Sequence, residues 1–331
     1  IDAAGAGLGT GGFPPMSDPS RLDPEMRGFL AAQEETAAAY PPIRLEIPLD
    51  PHRVVNDALA LRTAEGGPRV ADTTDRWIAA RGRRIFCRLY RPHPDRALPV
   101  LVYFHGGGWV WASVDTHDRL AREYAVAADV AVLNVDYALS PEAKFPQALE
   151  ECAAAVRHVA AHGAEWGLDP SRIMLGGDSA GGNLALAAAL LLRDTAGPAL
   201  RGVLATYPVC DSDLTTPTYQ EFGAGWGLTR EKMAFYWSVY VPHAADRLHP
   251  LAAPLRADLA GLPPVLVHLA ECDVLRAEGE ALVGHLREAG VAVESETFPG
   301  VVHGFIRATA HVAKARDAVA KAAAWLRARA H

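Results

Sequence analysis

A serine hydroxyl attacks a carbonyl near neutral pH only with help. A base must take its proton, a carboxylate must orient that base, and N–H donors must wait for the oxyanion. The 331-residue sequence offers candidates for each part. Ser179 stands in Gly177-Asp178-Ser179-Ala180-Gly181-Gly182. The run Arg172 to Leu175 before it predicts a short buried strand, and Leu184 to Leu192 after it a buried helix. Glycines two residues either side of Ser179 let strand and helix close on each other, and the helix N-terminus adds N–H groups and a positive dipole end. Strand, sharp turn and helix in that order are the setting of a nucleophile elbow. A second glycine run, His105-Gly106-Gly107-Gly108-Trp109, follows the strand-like Val100 to Phe104. Consecutive glycines let N–H groups converge, so Gly107, Gly108 and Ala180 are the expected oxyanion donors, with Gly106 shaping the turn.

Asp273 lies just past the predicted strand Val265 to Ala270 and is the candidate acid. A residue so placed also suits the cap of the following helix. Its rival Glu271 would face the opposite side if the strand persisted that far. Among 13 histidines, His303 follows the last predicted strand and precedes the last helix, which completes the order nucleophile, acid, base for Ser179, Asp273 and His303. His105 precedes the acid and reads as a loop brace. His268 falls within a strand and reads as a core histidine, and His117, His158, His162 and His285 fall in helices. His311, at the start of the final helix, is the weaker alternative base.

The elements that must position these groups alternate. Helical spacing over Asp23 to Tyr40 and Pro51 to Arg62 comes first, then a hairpin of Arg76 to Ala80 with Arg84 to Arg91. Strands at Val100–Phe104, Val130–Val135, Arg172–Leu175, Val203–Tyr207, Val265–Ala270 and Val291–Phe298 alternate with helices, the last running from His311 to Arg329. Such alternation predicts an α/β fold with a mostly parallel central sheet covered on both faces. The interval Pro208 to Pro263 breaks the rhythm and is dense in aromatics, which suits a lid inserted over the strand ends. The expected division is therefore 16–66 as N-terminal cap helices, 67–207 with 264–331 as the catalytic domain, and 208–263 as a cap insertion.

Composition narrows the function classes. A net charge of −7 without a Lys/Arg cluster argues against nucleic acid or a polybasic membrane contact. No apolar run reaches the ~18 residues of a membrane span. The 4 cysteines are scattered without a C-x-x-C pair, so a zinc or redox site is not expected and a reduced, cytoplasmic protein is. Residues 1–15 are Gly/Ala/Pro-rich and read as a disordered tail or cloning scar, with Met16 as the natural start. Gly7 to Gly12 matches G-x-G-x-x-G, but no strand precedes it and Phe13-Pro14-Pro15 follows it, so no dinucleotide site is expected.

Taken together, His105–Trp109, Gly177–Gly182, Asp273-Val274-Leu275-Arg276 and His303-Gly304-Phe305 resemble the hormone-sensitive-lipase-like esterases, bacterial family IV. Asp136 to Glu142 resembles that family's D-Y-R-L-A-P-E segment, departing at Ala138 and Ser140, and Val274 stands where a proline is usual. The resemblance runs from about Glu46 to the C-terminus. It implies an α/β-hydrolase fold with a helical cap, and hydrolysis of short-to-medium acyl esters through Ser179, His303 and Asp273. It implies a small-molecule ester as partner, no metal or cofactor, and a homodimer. Trp109, Trp111, Phe222, Trp226 and Leu228 are the expected pocket walls, since aromatic surfaces suit an acyl chain or aryl alcohol. Two other readings share the scaffold. One is an amidase such as an arylformamidase, whose H-G-G-x-W loop is similar. The other is a ligand receptor that has lost its base, against which the intact His303 speaks.

Overall fold

Branched aliphatic runs pack well on a pleated surface, and those apolar on both faces need helices above and below them. The computed structural model describes residues 16–330. The glycine-rich start, with the tail expected there and the Gly7–Gly12 pattern, lies outside the described residues. Helices α1 (Pro24–Ala37) and α2 (Asp50–Ala64) precede a hairpin of β1 (Asp72–Ala80) and β2 (Arg83–Arg91). Alternation follows through β3 (Leu98–Phe104), α3 (Asp118–Ala128), β4 (Ala131–Asp136), α4 (Gln147–His162), β5 (Leu168–Asp178), α5 (Ala180–Asp194) and β6 (Leu200–Thr206). Then come α6 (Pro217–Phe222) and α7 (Arg230–Tyr240), and after them β7 (Val265–Cys272), α8 (Arg276–Glu288), β8 (Val293–Val302) and α9 (Ala313–Ala330).

The strands form one sheet in the order β1-β2-β4-β3-β5-β6-β7-β8. Only the pairs β1/β2 and β2/β4 are antiparallel; the others run parallel. The expected mostly parallel sheet is therefore present. α3 packs with α9 and α4 with α5 as the helical layers over it. Every residue of β3 is buried, as a central strand covered on both faces must be, whereas the edge strand β1 alternates covered and exposed positions and buries only Ile78 fully.

Parallel register brings the loops that matter to one edge of the sheet. Phe104 at the end of β3 pairs with Gly177 near the end of β5, and Asp178 pairs with Thr206 at the end of β6. Cys272 of β7 pairs with Val302 of β8 after a register shift. The glycine loop, Ser179, Asp273 and His303 thus leave the carboxyl ends of β3, β5, β7 and β8, where ligands of open α/β sheets bind.

Two features depart from the spacing. β8 continues through Pro299 and Gly300 to Val302, where a loop was expected. It pairs only with β7, and a sheet edge tolerates a residue without an N–H. The interval 208–263 carries α6 and α7, and both its ends are tied to α5: Asn183 Nδ2 donates to the carbonyls of Val209 and Ala252 at 3.0 and 2.8 Å. Among the described residues no helix is long and apolar enough to cross a membrane.

Candidate active site

Ser179 occupies the turn between β5 and α5 with φ 57° and ψ −120°, a left-handed conformation that costs a non-glycine residue on the order of 1–3 kcal/mol. Its neighbours hold it there. Its N–H donates to Thr206 O at 2.9 Å, and its carbonyl accepts from Asn183 and Val209 at 3.0 and 3.2 Å. The turn is too tight for side chains beside it. A Cβ on Gly177 would strike the carbonyl of Gly181, and one on Gly181 would strike the carbonyls of Phe104 and His105. The backbone of Ser179 is thereby fixed while its hydroxyl opens into a cavity.

The His303 ring stands between two partners. Nε2 lies 2.8 Å from Ser179 Oγ and Nδ1 lies 2.7 Å from Asp273 Oδ2. Asp273 is buried and its other oxygen accepts the Leu275 N–H at 3.0 Å, so the carboxylate both starts the turn into α8 and faces the ring. The rival acid points away: Glu271 accepts from the Gly300 N–H at 2.7 Å and meets Arg21 at 3.5 Å. The rival bases do too. His311 stacks on Phe29, with ring centroids 5.5 Å apart. His105 donates through Nδ1 to the Gly106 carbonyl at 2.8 Å and stacks on Tyr137. Burial, together with the His117 ring, pushes the His105 pKa down to about 3, so this ring is neutral and braces the loop.

The glycine loop is held from several sides. Gly106 N–H donates to Asp178 Oδ1 at 3.0 Å. Gly107 O accepts from Val110 and Trp111 at 3.1 and 2.9 Å. The segment after β4 supports it from behind, where the Tyr137 hydroxyl donates to His105 O and the Ser140 N–H to Trp109 O, both at 2.7 Å. Gly107 and Gly108 border the cavity with Ser179, and among the described residues neither N–H has a backbone or side-chain acceptor. Ala180 is the first residue of α5, a position whose N–H has no acceptor within its own helix. Gly106, whose N–H is occupied, shapes the loop.

The residue spacing leaves out the device beneath this loop. Asp178, one residue before Ser179, is buried and accepts from the Tyr103 hydroxyl at 2.7 Å as well as from Gly106, with His117 Nε2 at 3.4 Å. Burial pushes its carboxyl up, but the His117 ring, the Tyr103 hydroxyl and the charge of Arg307 outweigh burial and hold it below the usual carboxylate range. One ionised side chain thus ties the glycine loop to the turn that carries Ser179. Asp178 lies inside the glycine pattern, and a carboxylate flanked by buried strand and helix must find donors; that was the available signal.

The cavity over Ser179 measures about 220 Å³. Of the five walls expected, Trp111 and Leu228 line it. Trp109, Phe222 and Trp226 do not. Trp109 stacks on Tyr240 with centroids 4.2 Å apart and Phe222 meets Trp226 edge-on at 5.2 Å, so these rings fill the core under the insertion. Aromatic content could not separate wall from packing. The walls that the spacing missed include Asn56 and Ala60 of α2, Lys232 and Tyr236 of α7, and Arg307. Trp111 Nε1 donates to the Tyr236 hydroxyl at 3.0 Å and fixes one side.

Comparison with known proteins bears on the family and the fold. A family model described as an α/β-hydrolase fold matches residues 101–307. The chain is 41% identical over 245 residues to carboxylesterase NlhH of Mycobacterium tuberculosis, covering 72% of this chain and 77% of that one. It is 38% identical over 233 residues to an ethyl acetate hydrolase of Pseudomonas putida, covering 68% and 73%. Among solved structures, a thermostable esterase from Pseudomonas putida superposes with a TM-score of 0.87 at 35% identity, over 94% of this chain and 98% of that one. A hyperthermophilic esterase from Pyrobaculum calidifontis does so with a TM-score of 0.87 at 34% identity, over 93% and 98%.

Proposed function

This chain belongs to the hormone-sensitive-lipase-like esterases of the α/β-hydrolase superfamily and is a carboxylic ester hydrolase, and from that premise we propose that Ser179, His303 and Asp273 carry out the reaction on short-to-medium acyl esters. His303 Nε2 takes the Ser179 proton as Oγ attacks the ester carbonyl, and Asp273 holds the ring in the required tautomer and stabilises its charged form. The tetrahedral oxyanion rests on the N–H groups of Gly107, Gly108 and Ala180. His303 then gives the proton to the departing alcohol, and a water activated by the same ring hydrolyses the acyl-enzyme. No metal or cofactor enters these steps.

The observation that supports the reading is one imidazole within hydrogen-bond reach of both a strained serine and a buried carboxylate. A cavity of about 220 Å³ walled by Trp111, Tyr236 and Leu228 suits a short acyl chain. A fluorophosphonate should label Ser179 alone and stop turnover. Asp273→Asn should lower kcat on p-nitrophenyl butyrate by about 10⁴, because the ring then adopts the wrong tautomer. Near-wild-type turnover by that variant would refute the acid assignment. Across a p-nitrophenyl series, kcat/KM should be highest between acetate and octanoate and fall at palmitate; a rise toward palmitate would refute the chain-length assignment.

A further inference from the structure

Arg307 is a wall residue for which the mechanism has no use. It ends the short helical turn Phe305–Arg307 that follows His303, and it borders the same cavity as Ser179. The side chain is half-buried, so its charge is only partly solvated and a counter-ion is favoured. Among the described residues no carboxylate lies within ion-pair distance of its guanidinium, and its side chain makes no hydrogen bond. The one carboxylate on the wall, Asp178, feels this charge but is engaged by Tyr103, Gly106 and His117.

A second cation, Lys232 of α7, borders the same cavity, with Nζ donating to the Gly227 carbonyl at 2.7 Å. Counting Lys232 and Arg307 against Asp178 leaves the wall with an excess of one positive charge. The whole chain carries −7, so a cationic wall is a local feature and not a reflection of composition. A guanidinium presents a planar fork of donors that matches a carboxylate in two parallel hydrogen bonds.

We propose that this site selects esters that carry a carboxylate group, held by the Arg307 guanidinium while Ser179 attacks the ester carbonyl. The proposal rests on the Ser179 reading above. Two matched pairs test it and locate the anion. p-Nitrophenyl hemisuccinate against p-nitrophenyl butyrate places the charge on the acyl side. 4-Carboxyphenyl acetate against phenyl acetate places it on the alcohol side. In at least one arm the wild-type kcat/KM ratio, anionic over neutral, should exceed one and should fall as salt is added. Arg307→Gln should lower that ratio roughly tenfold, chiefly through KM, and Arg307→Lys should restore part of it.

A wild-type ratio at or below one in both arms, or a ratio that Arg307→Gln leaves unchanged, overturns the proposal. A readout that needs no variant guards against misfolding: succinate should inhibit hydrolysis of p-nitrophenyl butyrate competitively and succinamide should not. Equal inhibition by the two also overturns it. Turnover of the neutral esters, and its block by a fluorophosphonate, test the Ser179 reading separately, so failure of one is distinguishable from failure of the other.

Discussion

The floor and the roof of the cavity are built by opposite means. The floor comes from the carboxyl ends of central strands, where β3 is buried throughout and Ser179, Asp273, His105 and Asp178 are all buried. Its loops interlock through backbone and side-chain hydrogen bonds, and Ser179 is held in a strained conformation. The roof includes α2, which has no buried residue and leaves Val54 72% and Leu61 43% exposed. α1, which packs beside α2 and lines no part of the cavity, buries only Met26. A transition state whose charge moves within ångströms needs donors that do not reorganise, and close packing supplies that rigidity. A surface that meets only the outline of the substrate does not. The floor should decide whether an ester is cleaved, and the roof which ester.

One substitution type applied to the floor and to the helix beside α2 sharpens this contrast most. Gly181→Ala places a methyl against the carbonyls of Phe104 and His105, which belong to the sheet and to the oxyanion loop and have no room to retreat. We expect a loss above ~4 kcal/mol, read as insoluble protein or a collapsed urea midpoint. Gly28→Ala in α1 meets nothing within 4 Å. It should stabilise by about 0.5–1 kcal/mol through helix propensity alone, with activity retained. Equal tolerance at the two glycines would erase the distinction between the floor and the N-terminal helices.

Acid should destabilise the sheet that carries the floor. His268 of β7 is buried beside Phe298. Burial, with the charge of Lys321, pushes its pKa down to about 4 from 6.5, and His105 is shifted the same way. Between those values the unfolded chain binds protons that the folded one refuses, so stability rises with pH through this window and is complete above it. For His268 the gain from pH 5 to 7.5 is on the order of 2 kcal/mol. His268→Leu should flatten that slope in urea unfolding at the two pH values. A slope as steep as in the wild type would mean that this ring does not charge on unfolding.

The same contrast explains what the sequence made legible. The meeting of Ser179, Asp273 and His303 could be read because the proposed chemistry demands particular residue types at strand ends in a particular order. The place of Gly107 and Gly108 beside Ser179 could be read because the proposed backbone donors need bare backbone. Trp109 and Trp226 could not be sorted, because an aromatic ring serves a wall or a core equally well and only the tertiary packing decides. Arg307 was invisible for a different reason: an isolated arginine after a turn carries no periodicity, and what singles it out is that, among the described residues, no carboxylate comes within ion-pair distance of it. The run of β8 past Pro299 was hidden because only its place at the sheet edge makes that proline tolerable.

The mildest expected effect concerns the tie between the two regions. α2 lends Asn56 and Ala60 to the cavity without burying a residue, so something polar must set its position. Arg53 does so. It donates to the carbonyls of Val110 and Ser140 at 3.0 and 2.7 Å, and meets both oxygens of Glu142 at 2.9 and 2.8 Å. Val110 follows the oxyanion loop, and Ser140 donates its N–H to Trp109, so the anchor points belong to the floor. Arg53→Ala frees α2 from them while leaving every floor contact in place. KM for p-nitrophenyl butyrate should rise about threefold, with kcat within twofold and a stability loss near 1 kcal/mol. A hundredfold fall in kcat would place α2 inside the preorganised machinery, and roof and floor would then be one unit.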